Sequence, residues 1–513
     1  MNICEILRKH AGARPNTPAI IHRRTLTFAE LERESAQFAA LLHTAGLRAG
    51  EAVLVFQPMS AELYVVLLAV FRLGLTAMFL DPSAGRAHIE QCCALNPPQA
   101  LIASAKAHCL RLISPALRRI PQKFVTGLAI KRAARLAPLA AVEPCAEDAA
   151  ALLTFTSGST GAPKAALRTH GFLLAQHRVL ERSLALRAGE IDLTTLPVFV
   201  LANLASGVTS LIPDADLRRP GAIAPAPVVA QLNKHRPAST AASPALLERI
   251  ADHCLRADVR LESLRRIHTG GAPVFPRVLD KLQAVAPQAE VVAVYGSTEA
   301  EPIAHLARRE ITNNDAALMR SGGGLPAGEA VPEIELRILR DQWGTPLGPC
   351  TTNEFVAACV PAGEAGEIVV SGAHVLPGYW LGKGNEETKF KVDGATWHRT
   401  GDAGYVDATG RLWLLGRCAA RVADERGVLY PFAVECAAHQ FEAVRRTALV
   451  AEHGKRVLVV ESARAMTAAE WQAMRNALAW ARLDEIRVLK RIPTDKRHNA
   501  KVDYPALRAM LAG

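Results

Sequence analysis

The stretch Leu153-Thr154-Phe155-Thr156-Ser157-Gly158-Ser159-Thr160-Gly161-Ala162-Pro163-Lys164 decides how the rest of the chain is interpreted. An apolar run, typical of a buried strand, enters a turn with four hydroxyl side chains, two glycines and a lysine. Glycines let the backbone approach an anion closely, and successive N–H groups, hydroxyls and an ammonium group form a concave anion site. The spacing does not fit the Walker A pattern. From these residues alone, a phosphate-binding loop and an ordinary surface loop both stay open.

Strands alternate with helices on both sides of this stretch. Short apolar runs at 52–56, 76–80, 239–241 and 290–294 predict strands, and residues 62–73 predict a buried helix. This rhythm predicts a mostly parallel sheet with helices on both faces. The most apolar segment, 63–80, carries Arg72 near its middle, which argues against a membrane span.

The pattern changes after about residue 320, where Gly and Pro punctuate short alternating runs such as 333–338 and 366–372. These features are typical of hairpins and predict a small β-barrel over about 320–415. From 435 onward helix and strand patterns mix again. We therefore predict an α/β fold with a large N-terminal domain, 1–415, of layered doubly wound sheets plus the small barrel, and a smaller α+β domain, 418–513.

Composition excludes several classes of protein. Half of the 513 residues are hydrophobic and 21% are charged, so the chain is not disordered as a whole. The 60 basic and 49 acidic side chains leave a charge of +11, without a Lys/Arg block interleaved with aromatics, so we expect no nucleic-acid partner. The ten cysteines lack metal-ligand spacing, and charges in the first ten residues do not suit a signal peptide. We expect a cytoplasmic protein without an integral membrane segment.

The stretch at 153–164 closely resembles the phosphate loop of the adenylate-forming superfamily, which includes acyl-CoA synthetases, luciferases and peptide-synthetase adenylation domains. Further segments similar to that family's pattern follow in the family's order: Gly270-Gly271-Ala272-Pro273, Tyr295-Gly296-Ser297-Thr298-Glu299, His398-Arg399-Thr400-Gly401-Asp402, Gly416-Arg417 and Asn499-Ala500-Lys501-Val502-Asp503. The resemblance covers essentially the whole chain.

The resemblance implies an ATP and Mg²⁺ site. In it the ring of Tyr295 stacks on adenine, Asp402 bridges the two ribose hydroxyls and Arg417 also contacts ribose. The other residues that it implies for ATP are Thr156, Ser157, Gly158, Ser159, Thr160, Gly161, Lys164, Gly270, Gly271, Ala272, Pro273 and Gly296. Glu299 and Thr160 are the implied magnesium ligands, Thr298 reaches phosphate, and a mobile C-terminal domain carries the catalytic Lys501 into the site.

These roles suit the chemistry of the side chains. A carboxylate such as Asp402 accepts two O–H donors, and a tyrosine ring offers a flat apolar face to a purine. A carboxylate such as Glu299 is compatible with a triphosphate when a cation lies between them. Without the resemblance, the preferred interpretation of Tyr295 is a core aromatic, that of Asp402 a turn former and that of Lys501 a surface lysine.

The chain departs from the common family pattern in two places. Gly416-Arg417-Cys418-Ala419 lacks the Asp that usually follows in the hinge, and the Lys-x-Arg-Gly stretch is absent, with 423–430 in its place. The segment 196–204 has no His after Phe199. Both departures argue against CoA as the acceptor. Together with 207–214 and 497–501 they resemble the olefin-pathway β-lactone synthetases and related fatty-acid ligases.

The resemblance predicts that a carboxylic acid, fatty or 3-hydroxy fatty, is activated as an acyl-adenylate with release of pyrophosphate and then closes to a β-lactone with release of AMP. We expect Phe199, Asn203, Gly207 and Val294 to line the substrate pocket. These stretches are apolar and carry no carboxylate for an amino group, which favours a fatty acyl chain over an amino acid. A fatty acyl-CoA ligase using CoA is the first alternative. A nucleotide-binding protein without turnover is the second, and nucleic-acid or membrane-surface binding driven by the charge is the third.

Overall fold

A computed structural model describes residues 1–81, 84–157, 163–494 and 502–512, with the side chains of 156, 157 and 512 left out. The chain divides into two compact units. The first comprises Met1–Asp214, Lys234–Ala241 and Ala373–Glu386, and the second comprises Ala215–Asn233, Ala242–Gly372 and Glu387–Gly513.

The strands are, in chain order, β1 Pro18–Ile21, β2 Thr25–Thr27, β3 Ala52–Phe56, β4 Thr76–Phe79, β5 Ala100–Ala103, β6 Gln122–Val125, β7 Ala150–Ser157, β8 Pro163–Thr169, β9 Ile191–Thr194, β10 Thr209–Leu211, β11 Ser239–Ala242, β12 Arg266–Gly270, β13 Glu290–Ser297, β14 Ala300–Ala307, β15 Leu325–Ala330, β16 Glu335–Leu339, β17 Gly366–Ser371, β18 Lys389–Val392, β19 Ala395–Val406, β20 Leu412–Arg417, β21 Val422–Asp424, β22 Gly427–Leu429, β23 Val444–Glu452, β24 Lys455–Ser462 and β25 Glu485–Val488.

The α-helices are α1 Cys4–Ala13, α2 Phe28–Thr44, α3 Ala61–Arg72, α4 Arg86–Leu95, α5 Ala105–His108, α6 Pro115–Arg119, α7 Thr126–Ala133, α8 His170–Ser183, α9 Pro197–Ser206, α10 Pro225–His235, α11 Pro244–Arg256, α12 Pro276–Val285, α13 Asn313–Arg320, α14 Thr352–Ala358, α15 Asn385–Thr388, α16 Pro431–Ala438, α17 Ala468–Ala477 and α18 Tyr504–Ala512.

The first unit contains two runs of parallel strands, each closed by one antiparallel strand. One has the order β6-β5-β3-β4-β7-β8, in which only β8 is antiparallel to its neighbour. The other has the order β11-β9-β10-β1-β2, in which only β2 is antiparallel. The strand-helix alternation in the sequence predicts this arrangement, because parallel neighbours need crossover connections.

The core of the first unit lies on both faces of the β6-to-β8 sheet. One face packs on α2, α3 and α8 through residues such as Phe38, Leu68 and Phe172, and the other packs on α4 and α6 through Ile89 and Leu117. Burial on both faces explains why β3 and β5 are continuous apolar runs.

Arg72 shows why the apolar segment predicted as a buried helix contains a charge. The side chain of Arg72 at the end of α3 is fully buried and is paired with Glu32 of α2. Its Nη1 also donates to the carbonyls of Leu139 and Ala140, at 3.0 and 3.2 Å. Within the residues that the structure describes, no helix has the length and hydropathy needed to cross a membrane.

The second unit begins with the parallel pair β12-β13 and continues as an antiparallel ladder. The order is β13-β14-β15-β20-β19-β17-β16, and β18 pairs with the first four residues of β19, 395–398. The hairpin-rich segment predicted as a small barrel therefore forms antiparallel strands that continue the ladder of β13. Beyond β20 lie the hairpin β21-β22 and the sheet β23-β24-β25 with helices α16, α17 and α18.

Mixed α/β content, layered sheets and an α+β C-terminal region confirm the predicted fold class. The predicted boundary between 415 and 418 and the mobility of 418–513 remain predictions.

Candidate active site

The predicted phosphate loop connects two hydrogen-bonded antiparallel strands. β7 ends at Ser157 and β8 begins at Pro163, with Thr156 opposite Lys164 and Ser157 opposite Pro163. The predicted residues Gly158, Ser159, Thr160 and Gly161 lie outside the described residues. The two ends of the loop are thus fixed next to each other by the ladder, and both belong to the first unit.

Lys164 is a buried lysine held by a neighbouring segment of the same unit. Its Nζ lies 5.7 Å from the ring centroid of Tyr379, within the range of a cation–π contact. Gly384 has φ of +96°, and a Cβ there would lie 2.6 Å from Cδ of Lys164. The positive φ favours glycine at 384, and the stem of Lys164 packs directly against it.

Tyr295, Asp402 and Arg417 come together within the second unit through hydrogen bonds to the Asp402 carboxylate. Asp402 in β19 is opposite Arg417 in β20, and Tyr295 is in β13. The hydroxyl of Tyr295 donates to Oδ2 of Asp402 at 2.8 Å, and Nη1 of Arg417 donates to Oδ1 at 2.9 Å. Burial, followed by the charge of Asp402, raises the pKa of Tyr295 well above its usual value. Each carboxylate oxygen has a second lone pair, so Asp402 can also accept hydroxyl donors from a ligand.

The segment Gly270–Pro273 leaves the end of β12 beside β13. Gly270 pairs with Val294, and a Cβ at Gly270 would lie 2.5 Å from the carbonyl oxygen of Val294. Gly271 has φ of +82° and open space around its Cα. The first glycine thus permits close strand approach and the second permits the turn, which leaves backbone groups of 271 accessible to a ligand. Gly296, within β13, is partly buried.

The turn after β13 carries Thr298 and Glu299. Ser297 Oγ accepts hydrogen bonds from the backbone N–H groups of Glu299 and Ala300, both at 3.2 Å, which fixes this turn. No group of three or more potential metal-ligating side chains occurs among the described residues. A single carboxylate nevertheless suits Mg²⁺, which commonly takes one or two carboxylates and completes its shell with phosphates and water. Glu299 therefore fits a magnesium ion that arrives with a nucleotide.

Lys389 is a functional candidate that motif reasoning missed, and it lies beside His398, the first residue of the motif at 398–402. Lys389 in β18 is buried and lies opposite His398 in β19. Burial lowers the pKa of Lys389 to about 7, and the charge of Glu299 opposes this effect. Burial, and then the charge of Lys389, holds the pKa of His398 well below its usual value, and its Nδ1 donates to the Thr388 carbonyl at 3.1 Å. The sequence does not identify Lys389 as the buried lysine of β18, because Lys391, two residues later in the same strand, is exposed.

The region next to the predicted catalytic lysine is anchored by backbone contacts and by one partly buried side-chain hydrogen bond. Lys501 itself lies outside the described residues. Val502 forms a β-bridge with Thr494, and the backbone N–H of Asp503 donates to the Pro493 carbonyl at 3.0 Å. The hydroxyl of Tyr504 donates to Oε1 of Glu435 at 3.1 Å. The start of α18 is thereby tied to α16.

Glu435→Gln tests the charge state of this anchor. Burial raises the pKa of the Glu435 carboxyl from 4.5 to about 7. Since the folded state binds this proton more tightly than the unfolded state, native Glu435 costs stability as pH rises from about 4.5 to about 7. Glutamine keeps the acceptor oxygen for Leu449 and Tyr504 and has no proton to lose. As pH rises over this range, we expect the free energy of unfolding of Glu435→Gln to decrease by about 3 kcal/mol less than that of the native chain.

Urea unfolding at several pH values measures this difference. The exposed Glu442→Gln variant serves as the control and should follow the native curve. If the free energy of unfolding changed equally with pH in Glu435→Gln and in the native chain, the raised pKa of Glu435 would be contradicted.

The residues predicted for the substrate pocket occupy different environments. Phe199 packs in a buried cluster with Leu180, Leu184, Ala202 and Ala241. Gly207 ends α9 with φ of +71° against the ring of His10, and Val294 is partly buried in β13. Their pocket role remains a prediction.

Asn203 belongs to a buried polar network that sequence reasoning missed. Its Nδ2 lies within 3.1 Å of oxygens on Asp192, Thr194 and Ser210, and Ser239 Oγ donates to Asp192 Oδ1 at 2.7 Å. An amide NH₂ can donate twice, so one of the three contacts is not a full hydrogen bond. Oδ1 of Asn203 is buried without a described partner. The network joins α9 to β9, β10 and β11.

Immediately after Gly270–Pro273, the chain contacts the C-terminal region of the same unit. The ring of Phe275 stacks on His439, with centroids 3.9 Å apart and planes at 17°. Nη1 and Nη2 of Arg277 donate to the carbonyls of Val444 and Arg445, at 2.7 and 3.3 Å. The first turn of α12 is therefore held against the α16–β23 connection.

The sequence and the fold both match known proteins. The chain is 34% identical over 508 residues to an olefin beta-lactone synthetase of Stenotrophomonas maltophilia (strain K279a), covering 93% of this chain and 90% of that protein. It is 29% identical over 456 residues to an indoleacetate–CoA ligase of Aromatoleum aromaticum (strain DSM 19018 / LMG 30748 / EbN1), covering 85% and 82%.

Among solved structures, the anthranilate CoA ligase AuaEII in complex with anthranoyl-AMP matches with a TM-score of 0.83 and 19% identity, over 100% of this chain and 98% of that one. The O-succinylbenzoate CoA synthetase MenE of Bacillus subtilis, in complex with ATP and magnesium ion, matches with a TM-score of 0.78 and 23% identity, over 99% of both chains.

Fold and sequence together define an ATP-dependent adenylate-forming ligase. The pattern of the AMP-binding enzyme family matches residues 7–380, and the chain belongs to that family.

Proposed function

We propose that this ligase activates a fatty acid that bears a 3-hydroxyl group and then closes it to a β-lactone. The observation that carries the proposal is the 34% identity to an olefin beta-lactone synthetase over 93% of the chain. The altered hinge after Arg417 and the absence of His after Phe199 agree with a second step that needs no CoA. We place the enzyme in the cytoplasm, because its ten cysteines are all free thiols.

The first step joins the acid to AMP. A carboxylate oxygen attacks the α-phosphorus of ATP, the bond to the bridging oxygen breaks, and pyrophosphate leaves. Asp402 and Arg417 hold ribose, the ring of Tyr295 packs on adenine, and Gly270–Pro273 lies along its edge. Glu299 and Thr160 would hold Mg²⁺, which would supply neutralisation of the phosphate charge.

Cationic side chains of the chain contribute positioning and charge. Lys164, with the hydroxyl and backbone N–H groups of 156–161, binds the phosphates, and the packed stem of Lys164 reduces the reorganisation needed. Thr298 reaches phosphate. Lys501 contacts the carboxylate and the α-phosphate, where a point charge stabilises the transition state more than the separated reactants.

The second step is intramolecular. The 3-hydroxyl oxygen attacks the acyl carbon, the bond from that carbon to the AMP oxygen breaks, and AMP leaves as the hydroxyl loses its proton. A hydroxyl held close to the acyl carbon reacts at a high effective concentration, so no second substrate is required. Phe199, Asn203, Gly207 and Val294 are the proposed lining of the acyl site.

Thioester formation with CoA is the second candidate, favoured by the 29% identity to an indoleacetate–CoA ligase. The decisive experiment incubates the purified chain with MgATP and a 2-alkyl-3-hydroxy fatty acid, with and without CoA. We expect pyrophosphate release and a β-lactone by mass spectrometry in both cases. A matched 2-alkyl acid without the 3-hydroxyl should release pyrophosphate and give no lactone.

Each other outcome identifies a different function. A thioester that forms only with CoA would replace the lactone proposal with the ligase. Absence of pyrophosphate release with every acid, despite ATP binding, would indicate a nucleotide-binding protein without turnover.

Asp402→Asn tests the proposed ribose contact. The substitution preserves shape but removes the charge that Arg417 and Tyr295 approach. Since a hydrogen bond to a charged group contributes about 1.5–3 kcal/mol, we expect the dissociation constant of ATP to rise about 10- to 100-fold. Calorimetry on the folded chain measures it. The control is Asp393→Asn, because Asp393 lies in an exposed turn with φ of +44°, a conformation that Asn tolerates. Equal affinities in both variants would reject the contact.

A further inference from the structure

One segment of the first unit has a one-sided charge. Between Glu90 and Glu143 the sequence contains no acidic residue. The same segment has eight basic residues, here called the basic rim: Lys106, Arg111, Arg118, Arg119, Lys123, Lys131, Arg132 and Arg135. These cations occur singly or in pairs over thirty residues, so they do not form the compact block that sequence analysis looks for.

The rim is exposed and unneutralised. Six of its side chains are exposed, and Arg111 and Lys123 are partly buried. None of the eight forms an ion pair with any residue that the structure describes, whereas many arginines elsewhere do. The charge of Arg111 contributes, after burial, to lowering the pKa of Lys123, which places these two like charges close together. Such a concentration of unpaired cations attracts an extended anionic partner.

Large aliphatic side chains stand in the same segment. Leu112, Ile113 and Leu128 are 78%, 53% and 67% exposed. The fold starts both segments at the same edge of the sheet, because β5 and β6 are parallel neighbours with Ala103 opposite Val125, and residues 104–113 and α7 follow the carboxyl ends of those strands. His108 Nε2 donates to the Phe124 carbonyl at 3.0 Å, which ties the first of these segments to β6.

Cation and aliphatic side chains are linked locally as well. Nη1 of Arg118 donates to the carbonyls of Arg111 and Leu112, at 3.3 and 3.1 Å. The guanidinium group of Arg118 is therefore held beside the turn that exposes Leu112 and Ile113. Exposed aliphatic side chains in the same segment as cations suit a lipid surface, where the aliphatic groups insert between headgroups and the charges contact anionic lipids.

We propose that the basic rim with Leu112, Ile113 and Leu128 docks the enzyme on the surface of an anionic lipid bilayer. Charge complementarity favours any polyanion, but the exposed aliphatic side chains favour a bilayer, because nucleic acids offer them no apolar phase and no exposed aromatic ring stands among them for base stacking. The inference is independent of the proposed function, although a long-chain acid substrate dissolves in the same phase.

The test uses the full-length chain and sedimentation with vesicles of phosphatidylcholine, with and without about a third of phosphatidylserine. We expect binding only to the anionic vesicles and a steep loss with added salt. Replacing Arg118, Arg119, Lys131 and Arg132 with Gln should weaken binding at least a hundredfold, since each cation near an anionic surface contributes about fivefold. The matched control replaces the exposed Lys234, Arg236, Arg256 and Arg265 with Gln, which changes net charge equally.

A second variant separates a bilayer from other polyanions. Leu112→Ser with Leu128→Ser should weaken vesicle binding several-fold and leave binding to a DNA duplex unchanged. Pyrophosphate release and thermal melting confirm that each variant is folded. Absence of vesicle binding by the native chain, or equal loss in the rim and control variants, would overturn the proposal. Rim-dependent binding to the duplex that exceeds binding to vesicles would overturn it in favour of nucleic acid.

Discussion

Replacement of Lys501 by alanine is expected to lower the rate of acyl-adenylate formation by about 10²- to 10³-fold, the usual cost of losing one preorganised group that stabilises transition-state charge. The lysine is assigned by its motif, Asn499-Ala500-Lys501-Val502-Asp503, and the ties of Thr494, Asp503 and Tyr504 hold the adjoining chain. Because these ties do not involve the Lys501 side chain, we expect the variant to fold and to bind ATP. Pyrophosphate release under saturating ATP and acid measures the effect.

Two further variants define the role of the ammonium group. Lys490→Ala removes an exposed lysine that is close to Lys501 in the sequence, and this variant should keep the native rate of pyrophosphate release. Lys501→Arg keeps the charge but replaces a compact ammonium with a planar guanidinium, so we expect partial activity only. A Lys501→Ala enzyme with native pyrophosphate release would remove Lys501 from the mechanism.

Glu367→Ala is expected to destabilise the protein by about 3–5 kcal/mol, because it leaves a buried guanidinium without its carboxylate. Arg399 and Glu367 are 1% and 0% exposed, and the shortest contact between them is 2.6 Å. The guanidinium also lies over Trp343, 5.2 Å from its ring centroid, and donates to the Thr345 carbonyl. Arg399 is three residues before Asp402 in β19, so we also expect weaker ATP binding.

Urea unfolding compares this variant with Glu335→Ala, which breaks an exposed pair with Arg337 and should cost less than about 1 kcal/mol. Replacing both Glu367 and Arg399 by Leu and Met should recover much of the loss, since the isolated charge is then gone. Equal destabilisation by Glu367→Ala and Glu335→Ala would show that the buried pair is not stabilising.

The sequence predicts much of the fold, because periodicity and burial follow the same physics. The helix predicted over 62–73 is α3, which spans Ala61–Arg72. The partner of Arg72, however, is forty residues away in α2, and no local pattern identifies it. Strand order is likewise absent from local patterns, because it depends on which crossovers pack together.

The candidate site was predictable where a motif names the residue and not where packing defines it. Motifs identify Tyr295, Asp402 and Arg417, and the structure adds that Tyr295 and Arg417 both donate hydrogen bonds to Asp402. No motif contains Lys389, and its surroundings come from residues distant in sequence, His398 in β19 and the charge of Glu299. Asn203 was expected in an apolar pocket lining, yet its amide meets Asp192, Thr194 and Ser210, whose convergence requires three strands and a helix.

The contact between the first turn of α12 and β23 has an asymmetric consequence for sequence drift. Arg277 donates to peptide oxygens, which every residue supplies, and the side chain of Arg445 is mostly exposed. Substitutions at position 445 therefore keep these hydrogen bonds, because the acceptor is a backbone carbonyl. Substitutions at position 277 remove the guanidinium that donates them. Relatives that preserve these two hydrogen bonds should keep arginine at the position of Arg277 and should vary freely at the position of Arg445.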